Sequence, residues 1–94
     1  MDLFTIVMDF NGGTYVSQVR ADDEIDALQA WSLNLNHKEI SGLGEKLKSQ
    51  IISEIETDSE VTKPVLLEGT INTWGTFFSI RGRKIFVHLV KTAQ

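Results

Sequence analysis

Two histidines, an acidic run and a short basic cluster are the residues of this chain whose chemistry goes beyond packing. His37 and His88 fall in separate segments, and neither has a second ligand at the spacing of a metal site. Serines and threonines are plentiful, yet no pattern ties one to either imidazole as nucleophile to base. Asp22, Asp23, Glu24 and Asp26 lack the oxygen-ligand spacing of a calcium loop. At a helix start, the same acids complement the positive end of the macrodipole. With no cysteine, a thiolate nucleophile, a disulfide and a Cys-based metal site are all excluded. The sequence therefore reads as non-enzymatic, with no cofactor and no metal.

Arg81-Gly82-Arg83-Lys84 is the sharpest charge cluster. At a hairpin tip flanked by Phe77, Phe78 and Phe86, such residues suit contact with a phosphate backbone and stacked bases. Nucleic acid is thus one candidate partner class, through Arg81, Arg83 and Lys84. A sheet face gives the other. Alternation places Leu66, Glu68, Phe77, Ser79, Phe86 and His88 together, with His88 opposite Phe77 and Glu68 opposite Ser79. Apolar rings with charges at their margin suit a protein partner or self-association, with Phe77, Phe86, His88 and Glu68 as the candidate residues.

These positions depend on the elements that carry them. Residues 3–10 alternate, with Phe4, Ile6, Met8 and Phe10 on one side, and residues 13–21 return after Asn11-Gly12. An Asn-Gly pair suits a two-residue type I′ turn, which sets Met8 against Tyr15, Ile6 against Ser17 and Phe4 against Val19. A register moved by one residue would turn apolar side chains outward, so this pairing is preferred.

Asp22 is then a candidate cap for a helix of about three turns. Ile25, Leu28, Trp31 and Leu35 lie on its inner face, and it ends in the region 34–36. Ile40, Leu43, Leu47, Ile51 and Ile55 continue at 3- and 4-residue spacings, with Asn36 and Glu39 as a candidate capping box. Gly42 and Gly44 disfavour a helix interior, so this second helix is placed over about residues 43–56. A polar loop over residues 57–64 ends in the single proline.

From Val65 the period returns to 2. Val65, Leu67, Gly69 and Ile71 share one face, residues 72–75 turn, and Thr76, Phe78 and Ile80 continue that face. Trp74 falls at this turn, as a cover for the core. A hairpin at Gly82-Arg83 brings Ile85, Val87 and Leu89 to the same side and sets Gly69 opposite Phe78.

At 94 residues the chain holds one hydrophobic core, and its composition is that of an ordinary globular domain. No apolar run reaches the length of a membrane span, and the acidic start at Asp2 is unlike a secretory signal, so a cytoplasmic, membrane-free protein is expected. Net charge is −4, divided unevenly: residues 1–60 hold four Lys/Arg and twelve Asp/Glu, residues 61–94 five and one. That asymmetry suits two segments that pack on each other.

Gly12-Gly13-Thr14-Tyr15, the acidic helix start and Ala27-Leu28 resemble the N-terminal strand-strand-helix part of HicB-type antitoxins, small domains that bind a toxin. The resemblance covers about residues 3–33. It departs where a third strand should precede the helix, and the C-terminal DNA-binding unit of that family is missing.

The expectation is a single α+β domain: an antiparallel hairpin, two helices and a three-stranded antiparallel meander (ββααβββ), with the helices on one face of the sheet. Its expected role is that of a non-catalytic protein-interaction or inhibitory module, acting through the sheet face or the acids Asp22 to Asp26. The alternative is a nucleic-acid-associated domain using the basic tip.

Overall fold

A computed structural model of the chain describes residues 1–57 and 59–92. β1 (Asp2–Phe10) and β2 (Gly13–Ala21) are followed by the helices α1 (Glu24–Leu33), α2 (Gly44–Thr57) and α3 (Ser59–Thr62), and then by β3 (Val65–Leu66), β4 (Thr73–Ile80) and β5 (Arg83–Lys91). All five strands form one antiparallel sheet in the order β2-β1-β5-β4-β3. The expected α+β architecture is present, and the pairing of β1 with β5 joins hairpin and meander into a single sheet.

The first hairpin has the expected register, with Met8 opposite Tyr15 and Phe4 opposite Val19. Asn11 and Gly12 take φ of 52° and 80°, the left-handed pair that a type I′ turn requires. The second hairpin departs from expectation by one pair. Its turn is Arg81-Gly82, at φ of 54° and 76°, so Phe77 faces Phe86, and it is Gly75 that faces His88. Glycine is better placed second in the loop, as in Asn11-Gly12, and a register change of two leaves every side chain on its face.

The third strand is shorter than its alternation suggests. Only Val65 and Leu66 pair, and they pair with Gly75 and Trp74, which reverses the expected faces. Residues 67–72 form the connection. In it Thr70 N–H bonds the Leu67 carbonyl at 3.1 Å and Gly69 sits at φ 88°, in a turn and not opposite Phe78. Ile71 is 93% exposed, because no neighbouring strand continues that far to pair it. Trp74 belongs to β4 and packs its ring 5.9 Å from that of Phe4, over the edge of the core.

α1 is capped by Asp23, one residue later than expected: its Oδ1 accepts from the Asp26 N–H at 2.8 Å. No strand intervenes between β2 and α1. The Asn36 side chain accepts from the Lys38 N–H and closes a turn, so it caps no helix. The second helix begins at Gly44, because Gly42 and Gly44 stand at φ of 81° and 66°, outside the helical region. Residues 59–62, expected as loop, form the short α3, and Asp58 of that expected loop lies outside the described residues.

The core lies between the helices and one sheet face. Phe4, Ile6, Met8, Phe78, Ile85, Val87 and Leu89 meet Ala27, Leu28, Trp31, Leu47, Ile51 and Ile55 there, all buried. Trp31 stacks on Phe78 with ring centroids 6.3 Å apart. Ile25 remains partly exposed beside Leu28, Ile55 and Pro64.

Candidate interaction face

Strand alternation sends one side chain in two to the face that the helices leave open. One row crosses all five strands: Val16, Val7, His88, Gly75 and Val65. A second row holds Thr14, Asp9, Phe86 and Phe77, and a third Gln18, Thr5, Val90 and Thr73. The inner residues of β1 and β5 are buried to the last few per cent, whereas Val16, Val65, Phe77 and Phe86 are 64%, 66%, 55% and 47% exposed.

Phe77 and Phe86 are direct cross-strand neighbours with ring centroids 6.2 Å apart at a tilt of 31°. Two exposed rings in contact present one apolar surface larger than either alone. His88 is half-buried beside them. A Cβ on Gly75 would stand 3.5 Å from its Cδ2 and 3.3 Å from Leu67 Cδ2, so the missing side chain at Gly75 is what lets both groups lie on the strand. On the β1–β2 side of the face the polar groups bond one another: Gln18 Nε2 to Thr5 Oγ1 at 3.1 Å, and Thr14 Oγ1 to Asp9 Oδ1 at 2.7 Å.

Of the residues singled out from the sequence, the structure brings Phe77, Phe86 and His88 onto one face. Glu68 is not among them: it lies in the turn before β4 and has no strand partner. The sequence reading missed Val16, Val7 and Val65, whose contribution depends on β1 pairing β5 and on the reversed face of β3.

The basic tip is dispersed by the same geometry. Lys84 pairs with Ser79 on the open face, in a shallow depression that also holds Asp9 and Phe86. Arg83 turns to the helix side, where its Nη1 donates to the Gly42 carbonyl at 3.0 Å. Arg81 and Arg83 flank a cleft of about 360 Å3 formed with Gly42, Gly44, Glu45 and Lys46 at the start of α2. Glu45 puts a carboxylate among these cations.

Among the described residues, no group of three or more His, Cys, Asp and Glu is placed to hold a metal. No helix among them is long and apolar enough to cross a membrane. No family model matches the chain, and no curated protein or solved structure is found to be similar to it.

Proposed function

We propose that the chain is a non-catalytic protein-interaction module, of binding or inhibitory type, that works through the open face of its sheet. The supporting observation is the Phe77–Phe86 pair, two exposed aromatic rings in contact near the hairpin end of a sheet face that no helix covers. Aromatic anchors with polar groups at their margin are the composition of a binding surface, where a few rings carry most of the free energy. His88 supplies a hydrogen-bonding group within that patch. A protein partner, with an apolar side chain to set between the rings and His88, is the matching ligand.

The reading is tested by capture from native lysate with wild-type chain and with Phe77→Ser/Phe86→Ser as bait, quantified by mass spectrometry. A stoichiometric partner kept by the wild type and lost by the double variant supports it. Equal capture by both, or none by either, refutes it.

A second reading, contact with nucleic acid, draws support from the convergence of Arg81, Arg83 and Lys46 on the cleft at the start of α2. Fluorescence anisotropy with short RNA and DNA at low salt tests it, because phosphate contacts weaken steeply as salt rises. Absence of binding, or binding that Arg81→Glu/Lys46→Glu leaves unchanged, would refute that reading.

A further inference from the structure

β2 ends the sheet, and its outer edge is long; on the helix side Thr14 to Ser17 line a groove with Asn34, Asn36 and Glu39. The hairpin closes on the pair Phe10–Gly13, so Gly13, Tyr15, Ser17, Val19 and Ala21 direct their backbone groups to β1. Thr14, Val16, Gln18 and Arg20 direct theirs away, and these four N–H and four C=O groups have no partner among the described residues. Natural edges are commonly blunted by proline, a bulge or several charges, whereas β2 carries only Arg20.

We propose that two copies of this chain pair through β2, antiparallel about a two-fold axis at Ser17, into one ten-stranded sheet. Registers centred on Val16 or on Gln18 leave some of the eight groups unpaired; the register centred on Ser17 pairs Thr14 with Arg20 and Val16 with Gln18 of the other copy and satisfies them all. The side chain at the axis is small, so nothing bulky stands between the strands. The faces stay continuous, because paired residues point to the same side of the sheet.

Charge selects the same register. Arg20 of one copy lies opposite Thr14 of the other, and Thr14 holds Asp9 on the next strand through its 2.7 Å hydrogen bond. Two strand spacings, about 10 Å between backbones, separate Arg20 from that Asp9, within reach of an extended guanidinium. Both side chains are exposed, on the same face, and neither has an ion partner within its own chain among the described residues. The two-fold axis forms the ion pair twice.

This inference concerns the edge of the sheet and goes beyond the role proposed for its face. Sedimentation velocity from micromolar to millimolar concentration tests it. The wild type should self-associate as a dimer, while Arg20→Asp and Asp9→Arg, each of which makes two like-charge contacts, should each raise the dimer Kd at least about tenfold. Mixed in equal amounts, the two variants should dimerise again. In the mixed dimer the introduced aspartate meets the introduced arginine at one contact, and the unaltered Asp9 meets the unaltered Arg20 at the other. Phe77→Ser/Phe86→Ser should dimerise as the wild type does. A wild type that stays monomeric, either charge variant associating like the wild type, or a mixture that stays monomeric overturns the proposal. Loss of the dimer in the phenylalanine variant also overturns it, assigning self-association to the sheet face.

Discussion

The guanidinium of Arg83 donates to the carbonyl of Gly42 at 3.0 Å, binding the tip of the β4–β5 hairpin to the loop that starts α2. A Cβ on Gly42 would stand 2.9 Å from Asn11 Nδ2 and 3.5 Å from Arg83 Nη1, so both hairpin tips close on this one residue. This polar contact lies beside Phe10, Leu43 and Ile80, buried core residues that flank the same three segments.

Arg83→Ala should lower stability by about 1 kcal/mol, the value of a single exposed hydrogen bond, as measured by urea denaturation. Gly42→Ala should cost more, about 1–2 kcal/mol, since it adds a side chain at φ 81° as well as a contact with Asn11. If Gly42→Ala proved neutral, the loop would be free to rearrange and the convergence of the tips would carry no energy.

The two hairpin turns have nearly the same backbone angles but different first residues. Asn11 suits a left-handed position, and Arg81 at φ 54° does not. Arg81→Asn should therefore stabilise the fold by about 0.5–1 kcal/mol, and an increase in urea midpoint at unchanged slope would show it. A decrease would mean that Arg81 contributes more through the cleft at α2 than it loses in backbone strain.

Legibility in the sequence followed how local each determinant is. Asn11-Gly12 specifies its own turn, and the register of β1 with β2 followed from two residues. Arg81-Gly82-Arg83 offers glycine two loop positions, so the pairing was displaced; the displacement was even, and Phe77, Phe86 and His88 kept their shared face. Val65, Leu67, Gly69 and Ile71 alternate like a strand, but an edge segment forms only as far as a neighbour pairs it, and pairing ends at Leu66. The row from Val16 to Val65 depends on β1 meeting β5 across almost the whole chain, which no local pattern records.

At the start of α1, two adjacent aspartates compete for the cap, and only Asp23 accepts a helix N–H. Asp23→Ala should destabilise by about 1 kcal/mol and Asp22→Ala by less than about 0.5 kcal/mol, distinguishable by thermal unfolding of the two variants side by side. Equal costs would show that the acids act through the macrodipole alone, without a specific cap.

The open face and the core should respond differently to the same kind of truncation. Ile51 is fully buried in α2 against the sheet, and Ile51→Ala should cost about 2–5 kcal/mol because a cavity remains where the side chain was. Phe77 and Phe86 are each about half exposed, so each ring replaced by serine leaves no enclosed void. The loss is then the buried half of each ring, about 1 kcal/mol apiece, together with the cross-strand ring contact of about 0.5–1.5 kcal/mol. Chemical denaturation of Phe77→Ser/Phe86→Ser should accordingly find a folded protein with a modestly lower midpoint. A cost per ring as large as that of Ile51→Ala would show that the two rings serve the fold, and any loss of a partner in that variant would then report unfolding in place of a missing contact surface.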